Sequence, residues 1–373
     1  MKFLILSHVE HKLINGRYFA YGPYVKEMNL WFKFVSEVTV VAPLSKSQTL
    51  DPIELAYEHP KINLVEVAAF DLMSWKSRFN TLFKIPGIFF TIMQQMRKAD
   101  HIHLRCPGNM GLIACVAQMF FPSKLKTSKY AGNWDPNSLQ PFSYRLQKVI
   151  LSNRILSQNM KVLVYGNWNP LNSNLKPFFT ATYKEDELRE TSVRNLDFPL
   201  KFIFVGSLVE GKNPIVSCEA VNQLNKTGVT SELHLFGEGP ERVKIEMMIQ
   251  NHNLQNNIIL HGNVPAEALK KAYSESHFLL FASESEGWPK AVAEAMFWGC
   301  LPITTPVSCV PDMIGQGSRG VLVEADATLI VKAVQDLLKS PEEYKLKAKK
   351  AMEWSRAYTL EKFQTEIHNL LPQ

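Results

Sequence analysis

The sequence predicts an α/β fold in which helices cover both faces of parallel sheets. Between residues 200 and 340, short apolar runs alternate with segments of helical periodicity, and turn residues separate them. This alternation is typical of parallel strands joined by crossover helices. The runs are continuously apolar, as expected for strands whose two faces are both buried.

The second half of the chain shows this alternation most regularly. Strands are predicted at 201–206, 233–237, 258–262, 277–282, 301–305 and 320–323, with helices at 213–228, 266–275, 289–298 and 327–338. The first of these helices has Asn213 as its cap and Pro214 in its first turn. Ligands of such sheets bind beyond the carboxyl ends of the strands. The candidate binding residues therefore lie in the loops at 207–213, 238–242, 263–265 and 283–289.

The first half repeats the pattern less regularly. Strands are predicted at 3–7, 38–42, 62–67, 102–104, 129–131 and 162–165, and helices at 22–34, 79–97, 110–120 and 141–156. A charged run gives way to proline and a new strand near 195–200, which predicts a domain boundary. We therefore expect two doubly wound domains, 1–196 and 197–350, facing a central cleft. Residues 351–373 are expected to form a C-terminal helix that crosses back to the first domain.

The formal net charge of +6 is distributed unevenly along the chain. Residues 1–190 contain 23 lysines and arginines against 14 acidic residues. A basic first half fits an anionic partner, such as a membrane surface or an acidic substrate, and equally fits a solvated basic surface. The segment 74–97 mixes aromatic and cationic residues, so it is either a membrane-surface segment or a core helix with basic flanks. We expect no nucleic-acid partner.

The apolar segments and cysteines indicate the expected location of the protein. The first residues predict a buried strand, because a signal peptide needs a longer apolar core and a small-residue cleavage site. No run approaches the ~20 apolar residues of a membrane-spanning helix. The five cysteines form no CxxC pair, which disfavours a disulfide framework or a zinc site. We therefore expect a cytoplasmic protein, either free or peripheral on the cytoplasmic membrane face.

The segment 283–300 carries the strongest chemical signal. Its polar loop follows a predicted strand, and the helix after it is apolar on nearly every face yet contains Glu294. A buried carboxylate costs several kcal/mol unless it is paired. Glu286 lies in the loop, where the backbone amides of Gly287 and Trp288 can donate to an anion. The two carboxylates either bind one polyol ligand or have structural roles, with Glu286 capping amides and Glu294 in a salt bridge.

The Glu-x7-Glu spacing, after an apolar strand and before a helix ended by Gly299, resembles the signature of the family 4 glycosyltransferases. Further segments are similar to that family in the same order, namely FVGSLVEGKNP, LHLFGEGPER, IILHGNVPAEAL and RGVLVEADATLIVKAVQDLL. The resemblance covers residues 200–340. It implies a retaining enzyme of GT-B architecture, in which two Rossmann-like domains face a cleft and a nucleotide-sugar is the donor.

The resemblance assigns roles to residues of the second domain. It implies that Lys212 neutralises the donor diphosphate, that Glu286 faces the hydroxyls of the transferred sugar, and that Glu294 binds the ribose. The other donor-binding positions that it implies are Gly206, Ser207, Gly237, Asn263, Val264, Gly287, Trp288 and Pro289.

The first domain is similar to the family at fewer positions. Gly22 resembles a glycine that approaches the diphosphate, and His103 and Arg105 are candidate acceptor or phosphate contacts. Ser207 departs from the family, which often has arginine there. One phosphate cation is then missing unless another residue replaces it, and Arg105 and Arg242 are the candidates for that replacement.

The acceptor side departs from the family most clearly. Many relatives carry a histidine beside the reacting sugar, whereas this chain has Asn133, Trp134 and Asp135 in that region. Asp135 either orients the acceptor hydroxyl or forms a turn with the residues that follow it. Asn133 is a further candidate acceptor or phosphate contact.

These residues predict a metal-independent transfer without a cofactor. The sequence has no Asp-x-Asp motif and no obvious enzyme nucleophile, which favours front-side attack in which the protein positions substrates and stabilises charge. The expected donor is a UDP- or GDP-linked hexose-type sugar, and the expected acceptor is a sugar or a lipid-linked glycan in surface polysaccharide synthesis. Two alternatives stay open: a nucleotide-sugar epimerase of the same fold, and a non-catalytic nucleotide-sugar-binding protein.

Overall fold

The computed structural model describes residues 1–51, 53–68, 75–168, 172–188 and 193–372, with side chains for all of these except 75–83. The chain divides into two compact units, Met1–Phe178 together with Phe363–Gln373, and Phe179–Lys362. Among the helices in these described ranges, none is long and apolar enough to cross a membrane.

The first unit is built on a seven-stranded parallel sheet. Its elements are β1 (Lys2–Leu6), β2 (His11–Ile14), β3 (Arg17–Tyr21), α1 (Gly22–Phe32), β4 (Glu37–Ala42), β5 (Leu44–Ser45), β6 (Glu54–Ala56), β7 (Ile62–Glu66), α2 (Trp75–Lys98), β8 (His101–Cys106), α3 (Asn109–Ala117), β9 (Leu125–Tyr130), α4 (Phe142–Ser152), β10 (Met160–Tyr165) and β11 (Leu175–Phe178). The main sheet has the order β11-β10-β9-β8-β1-β4-β7, and a small sheet has the order β5-β2-β3-β6.

The small sheet contains a hairpin that the sequence prediction missed. Strands β2 and β3 pair antiparallel, with Ile14 opposite Arg17. The two turn residues, Asn15 and Gly16, have φ angles of 50° and 74°. An Asn-Gly pair is a strong hairpin signal because both residues tolerate positive φ. The hairpin could therefore have been predicted from the sequence.

Helix α2 runs unbroken from Trp75 to Lys98 with Pro86 inside it. The proline does not end the helix, which begins four residues before the start predicted at residue 79. Ile88, Ile92 and Met96 are buried in the core of the first unit, which places the second half of the helix in that core.

The second unit is built on a six-stranded parallel sheet. Its elements are β12 (Leu200–Val205), α5 (Pro214–Lys226), β13 (Ser231–Phe236), α6 (Arg242–Asn251), β14 (Ile258–Gly262), α7 (Ala266–Glu275), β15 (Phe278–Phe281), α8 (Lys290–Phe297), β16 (Leu301–Thr304), α9 (Val310–Met313), β17 (Val321–Leu322), α10 (Ala327–Lys339) and α11 (Pro341–Arg356), and α12 (Leu360–His368) ends the chain. The strand order is β14-β13-β12-β15-β16-β17. This is the doubly wound order 3-2-1-4-5-6, which reverses direction between β12 and β15.

The division between the units falls at Phe178 and Phe179, earlier than the boundary predicted at 196–197. Side chains after this point contact the second unit. Arg194 donates to the carbonyl oxygen of Ser276 at 3.1 Å, and the Thr182 hydroxyl donates to Glu294 at 2.8 Å. The segment therefore belongs to the second unit although it precedes the first strand of that sheet.

The chain end belongs to the first unit from Phe363 onward. Lys176 forms an ion pair of 2.9 Å with Glu366, and the Phe178 and Phe363 rings lie 5.3 Å apart. The ammonium group of Lys129 lies 5.1 Å from the Phe363 ring centroid and 5.6 Å from that of Phe178. Because the Lys129 side chain is 1% exposed, the returning segment encloses a buried cation.

A buried charge cluster links the helix α1 to the centre of the first sheet. One oxygen of Glu27 accepts from Arg105 at 3.0 Å and lies 3.1 Å from the Lys129 nitrogen. Burial raises the pKa of the Glu27 carboxyl, but the charges of Arg105 and Lys129 outweigh burial and lower that pKa to about 2. The cluster is therefore charged at neutral pH, and each member depends on the others.

We predict that Glu27→Gln lowers the free energy of unfolding by about 3–5 kcal/mol at pH 7, because it leaves two buried cations without their anion. The folded pKa lies below the ordinary value, so the contribution of Glu27 is complete above pH ~4.5 and is lost as the pH falls toward 2. Urea unfolding of both proteins at pH 7 and at pH 3.5 measures the difference. Glu66→Gln, at an exposed acid of the same unit, is the control. An equal loss at both pH values would contradict the assignment.

Candidate functional site

The candidate site lies in the second unit where the strand order reverses. Strands β12 and β15 are neighbours there, and their crossover connections leave in opposite directions. The loops that follow these two strands consequently flank a crevice at their carboxyl ends, which is where open α/β sheets bind ligands. Lys212 follows β12, and Glu286 follows β15.

Lys212 and Glu286 form an ion pair across this point. The side chains are 26% and 12% exposed, so the pair is partly shielded from water. The same oxygen of Glu286 also accepts from the Ser283 hydroxyl at 2.7 Å. The Lys212 ammonium lies 5.2 Å from the centroid of the Phe281 ring at the end of β15. Of the three residues that the sequence proposed as catalytic, Lys212, Glu286 and Asp135, the structure therefore brings the first two together.

The two loops are joined by backbone hydrogen bonds as well. The amide of Glu284 donates to the carbonyl oxygen of Gly211 at 2.9 Å. The Asn213 side chain donates to the carbonyl oxygen of Ala282 at 3.0 Å and to Glu284 at 3.3 Å. Asn213 has a φ of 48°, so the chain turns sharply between Lys212 and the helix α5. These bonds fix the position of the pair before any ligand binds.

The loops after β12 and β13 approach each other closely at Gly237. A Cβ atom on this residue would lie 2.0 Å from the carbonyl oxygen of Gly206, and its φ is 134°. Any other residue would push the two loops apart. Ser207 is exposed beside this contact.

Arg242 forms ion pairs with two glutamates, one four residues before it and one four residues after it in the sequence. It donates to Glu238 at 2.6 Å and to Glu246 at 2.8 Å. In the first unit, Arg105 is bound to Glu27, as described above. Each candidate replacement for the cation missing at Ser207 thus already has a carboxylate partner.

The start of helix α8 is held by a neighbouring loop. The carbonyl oxygen of Gly287 accepts from the Ser308 hydroxyl at 3.2 Å and from the Cys309 thiol at 3.3 Å. The Trp288 ring stacks on Trp354 with centroids 6.3 Å apart. Pro289 is the residue that precedes the first turn of the helix.

At the sheet edge formed by β14, Asn263 and Val264 follow the strand directly, at an exposed and a half-buried position.

Glu294 has hydroxyl partners within the protein. The Thr182 hydroxyl donates to one carboxylate oxygen at 2.8 Å, and the Tyr273 hydroxyl donates to the other at 3.2 Å. Burial raises the pKa of the Glu294 carboxyl, although these bonds and the nearby Lys290 charge counteract the rise. A buried carboxylate needs polar partners, and these two hydroxyl groups supply part of that need for Glu294. Glu294 also lines a narrow pocket together with Trp288 and Tyr358.

Two further candidate residues of the first unit, His103 and Gly22, have structural partners. His103 is 0% exposed, stacks against Phe3, and shares a 2.8 Å hydrogen bond with Thr127. Burial lowers the pKa of its imidazole to about 3, so it is neutral. Strand alternation turns His103 into the core, and it is not exposed to a ligand in this structure.

Gly22 contacts a neighbouring segment, because a Cβ atom there would lie 2.3 Å from the carbonyl oxygen of Ile53.

Asp135 and Asn133 form a turn. The Asn133 side chain accepts from the Asp135 amide at 2.9 Å, and the Asp135 carboxylate accepts from the Asn137 amide at 2.8 Å. The Asp135 carbonyl oxygen also accepts from Lys148 at 3.1 Å. The segment therefore forms the turn that the sequence allowed, and one carboxylate oxygen of Asp135 accepts a hydrogen bond within that turn.

Sequence reasoning missed the supporting residues of the site. Ser283 and Phe281 hold the pair, and Thr182 and Tyr273 hold Glu294. Ser283 lies three positions before Glu286 in the loop already singled out, so it could have been found there. Thr182 is far away in sequence and belongs to a segment that was assigned to the other domain, so no local pattern pointed to it.

The fold and the site together define a doubly wound α/β protein with a cation–carboxylate pair at its topological switch point. Residues 185–354 match the family model described as glycosyl transferases group 1. This part of the chain is therefore similar to the glycosyl transferases group 1 family, and the chain has the GT-B fold of two Rossmann-like units. The GT-B fold expected from the sequence is confirmed, and the match supports a resemblance to group 1 glycosyltransferases, a broader class than family 4.

Individual relatives resemble parts or all of the chain. The putative colanic acid biosynthesis glycosyltransferase WcaL of Salmonella typhimurium is 32% identical over 143 residues, 36% of this chain and 35% of that protein. The alignments with the leading curated relatives span 34–38% of those proteins' length. Among solved structures, sucrose-phosphate synthase from Thermosynechococcus elongatus has a TM-score of 0.68 at 17% identity, covering 99% of this chain and 98% of that one. HepE of Anabaena in complex with UDP has a TM-score of 0.67 at 11% identity, covering 99% of each chain.

We predict that Glu294→Gln increases the free energy of unfolding at pH 7.5, because a neutral amide avoids the cost of burying a charge. The folded pKa lies above the ordinary value, so the stability that Glu294 contributes is complete below pH ~4.5 and is lost as the pH rises through the folded pKa. The advantage of the variant should therefore grow between pH 4 and pH 7.5. Thermal unfolding across this range measures it, with Glu219→Gln at an exposed position as control. A variant less stable at pH 7.5 than at pH 4, relative to the parent, would contradict this prediction.

Proposed function

We propose that the chain is a retaining family 4 glycosyltransferase that moves a hexose-type sugar from a UDP- or GDP-linked donor to a sugar or lipid-linked glycan acceptor in surface polysaccharide synthesis. The observation that carries the proposal is the Lys212–Glu286 pair at the strand-order reversal. The match to the family model, the name of the WcaL relative and the UDP bound to HepE support the same function.

Lys212 is suited to the diphosphate of a donor. Its ammonium group has three hydrogens, so it can keep its bond to Glu286 while donating to phosphate oxygens. A fixed cation at this place stabilises the negative charge that develops on the leaving nucleoside diphosphate. Because backbone bonds between the two loops hold Lys212, little reorganisation is needed when the donor binds.

Glu286 is suited to the hydroxyls of the transferred sugar. Lys212 and the Ser283 hydroxyl both bind Oε1, which leaves acceptor positions on Oε2 for hydroxyl donors. We assign donor contacts also to the backbone of Gly206, Ser207, Gly237, Gly287, Trp288 and Pro289, because these residues surround the same strand ends.

Glu294 is assigned to the ribose of the donor. Each of its oxygens accepts one protein hydroxyl, and each has a second lone pair for a ligand hydroxyl. Asn263 and Val264, at the end of β14, are assigned to the base. In the first unit, Asn133 and Asp135 are assigned to the acceptor side, since an Asp135 oxygen can accept a hydroxyl beside the turn.

The proposed reaction keeps the configuration of the transferred sugar. The acceptor hydroxyl attacks from the face that the diphosphate leaves, and a diphosphate oxygen takes its proton. The protein contributes positioning and charge stabilisation, and no metal or cofactor is required in this proposal. The acceptor is presented at the cytoplasmic face of the membrane, where the basic first half favours an anionic surface.

The donor is identified by thermal shift with a panel of UDP- and GDP-sugars. A donor at 100 times its dissociation constant stabilises the folded state by ~2.7 kcal/mol, enough to rank the panel. Transfer of the ranked sugar to a lipid-linked acceptor is then followed by chromatography. Isomerisation of the nucleotide-sugar without acceptor would favour an epimerase, and binding without any turnover would favour a non-catalytic protein.

We predict that Lys212→Ala lowers kcat/KM by about a hundredfold or more, because it removes the cation that stabilises the leaving group. Glu286→Gln should lower kcat more than it weakens donor binding, since it changes contacts at the transferred sugar. Initial rates at varied donor concentration separate the two effects. Lys226→Ala, an exposed lysine on helix α5, is the matched control. Parental kinetics in both site variants would refute the assignment.

We predict that transfer continues in excess EDTA, because the Lys212 ammonium supplies the charge stabilisation proposed for the diphosphate. The measurement is the initial rate with and without chelator, on enzyme previously dialysed against EDTA. Complete loss of activity that manganese restores would contradict metal independence without affecting the assignment of Lys212.

A further inference from the structure

A pocket of about 430 Å³ lies in the first unit at the amino ends of its strands. Its walls include the first residues of β8, β9 and β10, together with the loop at 154–159 and Leu370 from the returning chain end. Parallel strands place their amino and carboxyl ends on opposite edges of a sheet. The pocket therefore lies on the edge away from the loops that follow these strands.

The charged residues that line this pocket are all cations. Lys126, Arg154 and Lys161 contribute to its walls, and no aspartate or glutamate does. Within the described part of the chain, none of the three forms an ion pair with a carboxylate. Arg154 and Lys161 are exposed at the mouth, whereas Lys126 is 2% exposed. Lys126 pairs with Met160, whereas Lys161 pairs with Thr127, so the two lysine side chains lie on opposite faces of the sheet. The exposed cations Arg154 and Lys161 are therefore the ones at the mouth that raise the local positive potential and favour an anionic ligand.

Lys126 is an unusual residue for a buried position. Its ammonium donates to the carbonyl oxygens of Phe121 at 2.8 Å and Gln118 at 3.3 Å, so it is held by neutral groups alone. Burial without a counter-charge lowers its pKa to about 8. An anion bound nearby would supply the missing charge.

His101 supplies a second buried polar group in the pocket wall. The residue is 1% exposed, and its Nε2 shares a 2.9 Å hydrogen bond with the Thr127 hydroxyl. Its Nδ1 has no hydrogen-bond partner among the residues that the structure describes. Buried polar atoms without a partner are uncommon and point to a ligand or water that completes them.

We propose that this pocket binds a phosphate monoester of about the size of a hexose phosphate. The volume lies within the range of small-molecule sites, and the cations match a doubly charged phosphate group. Gln158 and Ser173 at the same walls offer hydrogen bonds for sugar hydroxyls. The site is separate from the Lys212–Glu286 pair and does not rest on the proposed glycosyl transfer. Because Leu370 closes one side, ligand binding would stabilise the returned chain end.

Isothermal titration calorimetry of the full chain with glucose 6-phosphate tests the proposal. We expect saturable binding, no binding of glucose at the same ionic strength, and a loss of about tenfold or more in affinity in Arg154→Ala/Lys161→Ala, since hydrogen bonds to charged groups are among the stronger ones. Lys126→Met, with its fold checked by circular dichroism, should weaken binding as well. Arg145→Ala/Lys98→Ala removes two exposed cations of the same unit and should leave affinity unchanged.

Two further experiments identify the binding site and the source of the phosphate group. Lys212→Ala should retain glucose 6-phosphate binding, which separates this pocket from the proposed donor site. Co-sedimentation with phosphatidic acid vesicles, whose headgroup is a phosphate monoester, compared with phosphatidylcholine vesicles, tests a lipid headgroup as the source. Vesicle binding that depends on Arg154 and Lys161, without glucose 6-phosphate binding, would support the phosphate site and assign it to lipid. Binding that is lost in Lys212→Ala alone, or absent in both assays, would overturn the proposal.

Discussion

The reversal of strand order between β12 and β15 is the constraint on which the site depends. Strands β12 and β13 are each followed by a crossover to the adjacent strand on one side, and β15 and β16 by a crossover to the adjacent strand on the other side. The connection after β14 returns across the sheet to β15. At the reversal, the loops after two neighbouring strands diverge, and side chains from both are left to meet over the sheet edge. Lys212 and Glu286 are the residues that meet there. Their pairing fixes the charge and the geometry offered to a ligand.

Glycines make this meeting possible because they let the surrounding loops approach closely. A Cβ atom on Gly237 would lie 2.0 Å from the carbonyl oxygen of Gly206, and one on Gly239 would lie 2.3 Å from that of Leu208. The loop after β13 therefore supports the loop after β12 from the side opposite to Glu286. A ligand at the reversal would meet a surface that is held by main-chain contacts on both flanks. Such rigidity reduces the entropy that ordering would otherwise cost on binding.

Much of the second unit was predictable because its strands are continuously apolar and its loops carry the Glu-x7-Glu spacing. Strand β9 of the first unit was predicted only at its end. Its residues Lys126, Thr127, Ser128 and Lys129 are polar yet buried, and no local pattern distinguishes them from a surface segment. Their burial depends on distant partners such as Glu27 and the chain end. His103 was assigned to a ligand for the same reason, since its burial against Phe3 is not visible in sequence.

The aromatic enclosure of Lys129 has a consequence for how the protein is made. Tyr165 and Phe178 provide part of that enclosure, and Phe363 provides the rest. The first unit is therefore discontinuous in the chain, with the whole second unit encoded between its two parts. On the ribosome, the second unit can fold as soon as its residues emerge, whereas the first unit stays incomplete until residues 363–372 have emerged as well. The part of the chain that is synthesised first is thus completed after the part that follows it.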